Sequence, residues 1–326
     1  MDRTRALLGR LRHDPFLPIW PATAVLFLLS PFLASGSVSE AALLGMLPFA
    51  SILAIASIGQ TLVVQQRGLD LSVAGMISVT TILVTRIPKG DDAQLPLAIL
   101  AVVVACLVAG GISGIAVTRF GITPLIATLG VNALLVGLVL QMTNGQSSDT
   151  AAPALDHFAF GRTMGIPNTL IVALVAVLGV AAVVRGTTVG RRFVATGANP
   201  VAAYAAGIAV RRYQLGTYLV ASLFAGLAGI LLAGYLKTPG LMAGDDYLLP
   251  TIAAVVLGGT SLAGGNGSVI ATAVGALFLV QLQQVVLGMG APASAQLIIQ
   301  GLIIGIGMAV RTVDLAALRA LRPGRR

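Results

Sequence analysis

The longest apolar stretch of the chain, Tyr247–Val310, runs for 64 residues without a charged side chain. Seven shorter charge-free runs precede it: Pro15–Ser39, Ala41–Gln66, Leu71–Thr85, Ala93–Thr118, Phe120–Ser148, Thr163–Val184 and Tyr213–Leu236. A helix that crosses a bilayer needs about 20 apolar residues. Only 10% of the 326 residues are charged, and a core of this chain length cannot bury so much apolar surface. The surface must therefore face lipid.

Helices are favoured over a barrel because the runs are long and lack the alternation of transmembrane strands. The first seven runs predict one helix each. Tyr247–Val310 predicts three, because turn formers cluster at Gly258–Gly267 and Gly288–Ser294. The predicted fold is an all-α polytopic membrane bundle of about ten transmembrane segments, in a single domain over residues 1–326. The third run is short for a span, and the eighth segment (about 247–262) either crosses fully or is re-entrant.

The basic residues predict the orientation of this bundle. With the N-terminus in the cytoplasm, ten spans place 16 of the 20 Lys and Arg residues on the cytoplasmic side, including the tails 1–14 and 311–326. The four on the outer side are Arg86, Lys89, Arg162 and Lys237. This asymmetry predicts cytoplasmic N- and C-termini. It also accounts for the net charge of +9 through contact with anionic lipid, so no nucleic-acid partner is expected.

The residue types needed for bond chemistry are scarce. His13 and His157 are the only histidines and Cys106 is the only cysteine, so neither a metal site nor a disulfide framework is expected. Neither of the two lysines stands in a P-loop pattern, so ATP binding by such a loop is not expected. Asp70 is the one acid near membrane depth, which disfavours a proton-coupled carrier but leaves sodium coupling open. The chain is therefore predicted not to be an enzyme.

The N-terminal region allows two interpretations. Basic residues, an apolar stretch and the small-residue cluster Phe32–Ser37 also occur in cleaved signal peptides. The apolar stretch is closer in length to a span, which favours a first transmembrane helix.

The stretch GQTLVVQQRGLDLSVAGM, Gly59–Met76, carries charges between two apolar runs. On the predicted topology Arg67 and Asp70 fall in a turn near the cytoplasmic interface, whose depth the sequence leaves open. We expect Asp70 to cap the helix that begins at LSVAGM by accepting the N–H of Ser72 or of the next residue. A role of Asp70 in gating or in solute contact is the alternative.

The largest predicted cytoplasmic loop is Thr187–Arg212, which is the candidate coupling loop 187–212. Asn199 is a good N-cap, Pro200 suits the first helical position, and Gly207 is a natural stop. These residues predict one short helix. The spacing alone leaves open whether the loop is a basic connector or a surface for a partner.

A second turn-rich segment, GGTSLAGGNGS, lies between two predicted helices. Its glycines permit close approach and unusual dihedral angles, and its hydroxyl side chains can satisfy exposed backbone groups. The segment holds no lysine, which disfavours a phosphate cradle. We expect a structural turn near the translocation path, with direct solute contact as the alternative; its residues are Gly258, Gly259, Thr260, Gly264 and Gly265.

Four segments, in order, resemble the permease subunits of the ribose/xylose/arabinose-type ABC importers of bacteria. They are Gly59–Met76, GITPLIATLGVNALLVGLVL at Gly121–Leu140, TTVGRRFVATGANPVAAYAAGI at Thr187–Ile208, and IAAVVLGGTSLAGGNGSVIATAVGAL at Ile252–Leu277. Together they cover the chain from about Gly59 to Leu277.

The resemblance implies a permease subunit of the bacterial inner membrane that performs no bond chemistry. It implies a dimer with a second copy or a homologue, with the path at the interface. It also implies two partners: ABC ATPase subunits, which bind ATP and Mg, and a periplasmic solute-binding protein. No cofactor is expected in this chain.

The resemblance further implies that the short helix of the 187–212 loop docks in a groove of the ATPase. The matching residues are Asn199, Ala202, Ala203 and Gly207, with Gly190, Arg191 and Arg192 in the flank. Val201 stands where many members carry an acidic residue, so a salt bridge to the ATPase is not implied. Arg67 stands where the family often has glycine, so the resemblance assigns it no role.

The solute is expected to be a monosaccharide, because GLDLSV at Gly68–Val73 resembles the sugar-type branch of the family. Aromatic residues make up only 5% of the chain, which fits a smooth passage with selectivity in the binding protein. The polar residues expected to line the path are Gln60, Thr61, Thr128, Asn132 and Gln141. Interhelical hydrogen bonding is the alternative for each.

The outer loop Asn144–Asn168 is long enough to help dock the binding protein, and disorder or simple capping of the bundle are equal alternatives. The alternative function for the whole chain is a stand-alone secondary carrier or channel for a small polar solute.

Overall fold

The computed structural model describes residues 15–146, 149–292, 294–295, 297–299, 301–302 and 305. The basic tails predicted at 1–14 and 311–326, and most of the tenth predicted segment, lie outside these residues. The helices are α1 Ile19–Leu33, α2 Glu40–Gln65, α3 Val73–Arg86, α4 Leu95–Thr118, α5 Pro124–Thr143, α6 Pro153–Phe160, α7 Asn168–Gly186, α8 Thr188–Ala198, α9 Pro200–Ala205, α10 Val210–Leu236, α11 Asp245–Leu257 and α12 Val269–Gly288.

The helices confirm an all-α membrane fold. In the part of the chain that the structure describes, six helices are long and apolar enough to cross a membrane: α2, α4 with its preceding turn, α5, α7, α10 and α12. The shorter apolar helices are α1 and α3. Among the described residues, the β-structure is a small hairpin, in which β1 (Arg162–Thr163) pairs antiparallel with β2 (Ile166–Pro167).

The core of the bundle is formed by α2, α3, α10 and α12, whereas α4, α5 and α7 bury less than a third of their apolar windows inside the chain. The most extensive contacts join α10 to α4 and to α2, and α12 to α2. Small residues let these backbones approach: a Cβ at Gly59 would lie 2.8 Å from the Ala221 backbone, and one at Gly110 would collide with α10 at Tyr218. Close packing of small residues is the usual means by which helices associate in lipid.

The third predicted span is discontinuous. An extended stretch, Gly68–Leu71, follows α2 and leads into α3, nearly all of whose residues are buried. The Gly75 N–H donates to Asn132 Oδ1 at 2.8 Å, and Asn132 lies eight residues into α5. At 1.5 Å per residue, Gly75 therefore lies roughly 12 Å along α5. Helix α3 alone, with 14 residues, is shorter than a full span.

The eighth predicted segment is the 13-residue helix α11. It starts where the Gly244 N–H donates to Ser78 Oγ of α3 at 3.0 Å. It ends where Gly258 lies against Thr272 of α12, with no room for a Cβ. The helix alone is shorter than a full span, and the glycine-rich turn continues the chain beyond it.

Candidate functional site

The candidate coupling loop contains two helices, so the prediction of one was incomplete. The additional helix is α8, whose N-terminus is capped by Thr187 Oγ1 accepting the Gly190 N–H at 3.0 Å. Gly190 is pressed against the last turn of α7, where a Cβ would collide with the carbonyl of Val184. Arg191 and Arg192 are exposed on α8. The glycines and β-branched residues of this segment disfavour a helix locally. Helix α8 is therefore stabilised by its tertiary contacts and by the threonine cap.

The predicted short helix is confirmed as α9. Asn199 Oδ1 accepts the N–H groups of Val201 and Ala202, both at 3.1 Å, and Gly207 takes a φ of +79° after the last turn. Ala203 is buried against the bundle, whereas Ala202 is exposed.

The outward face of α9 carries two large apolar side chains. Val201 is 79% exposed and Tyr204 is 76% exposed. This face lies on a six-residue helix at the end of the bundle, away from the long apolar spans.

Three distant segments meet next to α9, in what we call the arginine junction: Gln65–Gly68, Phe193–Ala198 and Gly264–Gly267. Arg67 Nε donates to the Gly197 carbonyl at 2.8 Å, and a second guanidinium nitrogen donates to the Ala198 carbonyl. These carbonyls belong to the last turn of α8, where a cation also meets the negative end of the helix dipole.

Two further hydrogen bonds of the arginine junction also involve backbone groups. The Gly265 N–H donates to the Gln65 carbonyl at 2.9 Å, and Gln66 Nε2 donates to the Phe193 carbonyl at 2.8 Å. A Cβ at Gly197 would collide with the Gln65 carbonyl, which explains the glycine at that position.

Arg67 holds a left-handed backbone conformation, with a φ of +65°. A residue other than glycine in this region costs roughly 1–3 kcal/mol, and such residues concentrate at functional sites. The hydrogen bonds of the guanidinium hold Arg67 in the turn.

Asp70 performs the predicted cap. Its Oδ1 accepts the Ser72 N–H at 2.8 Å and also the Ser72 hydroxyl. Asp70 is only 5% exposed and lies near Tyr218, eight residues into α10. Gly68 makes this approach possible, since a Cβ there would lie 2.7 Å from the Tyr218 hydroxyl. The carboxylate is therefore deeper in the bundle than the guanidinium of Arg67.

The glycine-rich segment forms the predicted turn between α11 and α12. Positive φ angles occur at Gly259, Gly264 and Gly265. Ser268 Oγ caps α12 by accepting the Ala271 N–H at 3.3 Å. Gly258 packs on α12, as described above, and Thr260 is buried at the turn.

The five polar residues expected along the path are not brought together in one site. Thr61 Oγ1 donates to the Ser57 carbonyl and accepts from Thr272 Oγ1 of α12 at 3.0 Å. Asn132 Oδ1 accepts the Gly75 N–H of α3. These two residues make the interhelical contact that was the alternative, and Thr128 Oγ1 accepts the N–H of Leu71, which lies just before α3.

The remaining two candidates, Gln141 and Gln60, differ from these three residues in their surroundings. Gln141 is exposed on the outside of α5. The side-chain amide of Gln60 is buried, at 2% exposure, and neither its oxygen nor its nitrogen has a hydrogen-bond partner among the described residues.

A groove of about 760 Å³ lies between α7 and α10, beside the α8–α9 segment. Its walls are mainly apolar, with Phe193, Tyr213 and Phe224 among them, and Arg192 and Arg212 contribute cations. None of the five polar residues expected along the path lines this groove. Across the described ranges, no group of three His, Cys, Asp or Glu side chains is placed to hold a metal.

The opposite end of α10 meets α6 in what we call the lysine junction: Asp156, Phe160, Tyr235 and Lys237. Lys237 Nζ and Asp156 Oδ2 form an ion pair at 2.9 Å, with the lysine side chain 57% exposed. The rings of Phe160 and Tyr235 stack with centroids 5.3 Å apart. Helix α6 thus covers this end of the bundle, in agreement with the capping alternative for the outer loop.

Sequence reasoning missed the arginine junction. Arg67 was assigned no role, and Gln66 and Gly197 were not singled out. The only sequence signal was Gly197 within ATGAN, a small residue next to a helix cap.

Comparison with known proteins identifies relatives over most of the chain. The family described as "Branched-chain amino acid transport system / permease component" matches residues 42–307. The ribose import permease protein of Escherichia coli is 33% identical over 264 residues, 80% of this chain and 82% of that protein. Its counterpart in Bacillus subtilis is 32% identical over 297 residues, 90% of each chain.

A third relative, the fructose import permease protein of Bifidobacterium longum, is 30% identical over 242 residues, 73% of this chain and 68% of that protein. No solved structure matches the chain.

Proposed function

Because the chain belongs to the family of the branched-chain amino acid transport system permease component, we propose that it carries a monosaccharide or similar small polar solute across the inner membrane. The family and the relatives identify it as a multi-pass transmembrane permease of an ABC importer. The proposed solute class is supported by relatives named for ribose and fructose import, and by the GLDLSV stretch, whose Asp70 caps α3.

The proposed topology is a single domain of ten spans with both termini in the cytoplasm. Its support is that basic residues assigned to the two sides fall at opposite ends of the described bundle. Arg67 lies at the arginine junction with α8, whereas Lys237 and the hairpin residue Arg162 lie at the other end. In this orientation the arginine junction is cytoplasmic and the lysine junction faces the periplasm.

The coupling surface is proposed to be α9, docked in a groove of a separate ATPase subunit that binds ATP and Mg. The observation that carries this proposal is the pair of exposed apolar side chains, Val201 and Tyr204, on a capped helix beyond the apolar spans. Neighbouring apolar side chains that are exposed outside lipid form the kind of patch that marks a protein interaction site. The contact is apolar rather than ionic, consistent with Val201 at the position where many members have an acid.

The path is proposed to lie between two permease copies, or between this chain and a homologue. Gln60 is the leading path residue of the five candidates, because its buried amide lacks a partner in the single chain. An unpaired buried amide costs about 1–3 kcal/mol. A solute hydroxyl, a water or a second copy would satisfy it.

The mechanism is alternating access without bond chemistry. A periplasmic binding protein delivers the solute to the outer end, and ATP-driven closure of the ATPase moves α9 on each copy. The helices then reorient, and the solute enters the cytoplasm.

Co-purification with the cognate ATPase tests the docking surface. We expect Tyr204→Asp to lower the captured ATPase by about tenfold or more, because a charge placed in an apolar contact loses several kcal/mol. The control is Met164→Asp, an even more exposed apolar residue, 97% accessible, in the hairpin at the other end. Wild-type capture by Tyr204→Asp, or an equal loss in both variants, would refute α9 as the docking surface.

A further inference from the structure

We infer that Arg67 is a positioning residue that transmits the movement of α9 to α3. This inference rests on the proposed function, in which the ATPase moves α9. Arg67 lies in the turn after α2. Its guanidinium donates to the last two carbonyls of α8, those of Gly197 and Ala198.

The first step is the connection from α9 to Arg67. Ala198 directly precedes Asn199, which caps α9. A displacement of α9 therefore acts on the same backbone that the guanidinium holds. No flexible loop separates the two helices, because Asn199 ends α8 and begins α9.

The second step is the absence of free space at the arginine junction. The Gln65 carbonyl lies where a Cβ of Gly197 would be, and the Ala198 backbone lies 2.9 Å from where a Cβ of Gly265 would be. The Gln66 amide holds the Phe193 carbonyl one turn earlier on α8. The end of α8 thus cannot slide past α2 without breaking these contacts, so the guanidinium moves with α8.

The third step is the connection from Arg67 to α3. The next residue, Gly68, starts the extended stretch that enters the bundle, and Asp70 caps its inner end. The Leu71 N–H donates to Thr128 Oγ1. Within five residues the chain passes from the arginine junction to the buried end of α3, with no exposed loop in between.

The backbone of Arg67 supports a role beyond shaping the turn. Glycine adopts a φ of +65° without steric strain, so the turn itself does not require an arginine. A strained residue that is held by two specific hydrogen bonds points to a function for its side chain. Arg67→Gly is therefore the variant that keeps the turn and removes only the connection.

Distance measurements between pairs of spin labels test the inference without knowledge of the solute. In a Cys106→Ala background, one pair joins Ala206→Cys, directly after α9, to Met164→Cys and reports on α9. The other pair joins Lys89→Cys to Met164→Cys and reports on α3. The three label sites are exposed, and the assembled permease–ATPase complex is measured without nucleotide and with ATP.

In the otherwise unmodified protein we expect ATP to change both distances. In Arg67→Gly the α9 distance should still change with ATP. The ATP-dependent change in the population of α3 distances should fall by about fivefold or more. Fivefold is the lower end of the typical coupling between two sites. Arg67→Lys, which keeps the charge and a donor, should be intermediate. Arg119→Gln removes an exposed cation at the end of α4 and should behave like the parent.

Two results would overturn the inference. One is an unchanged α3 response in Arg67→Gly. The other is the loss of both responses together with the captured ATPase, which would make Arg67 a residue of the fold only. If α9 does not respond to ATP in the parent protein, the proposed function itself fails, whatever Arg67 does. Arg67→Lys supplies the same comparison if Arg67→Gly does not fold.

Discussion

The arginine and lysine junctions hold the two ends of the bundle by different kinds of contact. At the arginine junction, buried backbone groups and glycines touch with no space for a methyl group, and a guanidinium binds two carbonyls. At the lysine junction, α6 also packs closely on Gly234 of α10, but the side-chain contacts that close this end are a partly exposed ion pair and stacked rings. Backbone contacts of the first kind resist sliding, whereas exposed side-chain contacts break and reform at little cost.

This difference fits the roles proposed for the two ends. An end that receives movement from an ATPase must transmit that movement to the other helices, which requires contacts that do not slide. An end that meets a binding protein must open and close. The contrast predicts that substitutions in the tightly packed backbone of the arginine junction act strongly, whereas those that break the partly exposed ion pair of the lysine junction act weakly.

The largest effect is expected for Gly197→Ala. The new methyl group would collide with the Gln65 carbonyl, and neither backbone can yield without opening the junction. We expect a loss of about 3 kcal/mol or more in the free energy of unfolding, at the upper end of overpacking effects. Thermal unfolding of the purified protein in detergent measures it.

The control for Gly197→Ala is Gly179→Ala, a helical glycine in α7 with open space where its Cβ would lie. Because alanine favours a helix by about 1 kcal/mol over glycine, the control should unfold at the same or a higher temperature. Equal behaviour of the two variants would contradict the tight packing of the arginine junction.

The second effect is expected for Asp70→Ala, which removes the cap of α3 and leaves the buried Ser72 N–H unpaired. We expect a loss of about 1–3 kcal/mol and reduced uptake, with unchanged membrane orientation. Asp70→Asn keeps an acceptor oxygen and should lose less. Wild-type expression and uptake in Asp70→Ala would overturn the capping role.

The third effect is expected for Asn199→Ala, which removes two hydrogen bonds at the start of α9. Loss of an N-cap costs about 1 kcal/mol, so ATPase capture should fall severalfold. Asn199→Asp preserves the cap and should retain capture. A result in which both variants bind like wild type would show that the order of α9 does not limit docking.

The smallest effect is expected for Asp156→Asn at the lysine junction. The pair it breaks is partly exposed, so we expect a change of no more than about 0.5 kcal/mol, and less at high salt. Thermal unfolding at low and high salt measures it. A loss as large as that of Gly197→Ala would contradict the contrast between the two ends.

The sequence predicted the local features of the arginine-junction end well. The cap by Asn199, the stop at Gly207, the turn at the glycine segment and the cap by Asp70 all depend on residues a few positions apart. Such short-range hydrogen bonds are encoded by neighbouring residue types, which is why pattern reasoning found them.

The arginine junction itself could not be predicted in this way. Arg67 and Gly197 are 130 residues apart, and the groups that accept its hydrogen bonds are carbonyls, which every residue has. Helix α8 was missed because its composition disfavours a helix, and its stability comes from contacts with α7. Long-range backbone contacts leave no residue-type signal.

The polar residues of the spans show a second limit. A polar side chain in an apolar helix can line a path or bind another helix, and both uses require the same residue types. Asn132 binds a backbone N–H 57 residues away, at Gly75, which no spacing rule indicates. Burial and partners separate Gln60, with its unpaired amide, from the residues that join helices.

We expect the chain to move solute only when an ATPase drives it through α9. Uptake of radiolabelled D-ribose and D-fructose into proteoliposomes tests this dependence. Accumulation of at least one sugar is expected only when ATP, the cognate ATPase and the cognate binding protein are all present. Accumulation by the chain alone, driven by an ion gradient, would contradict this expectation.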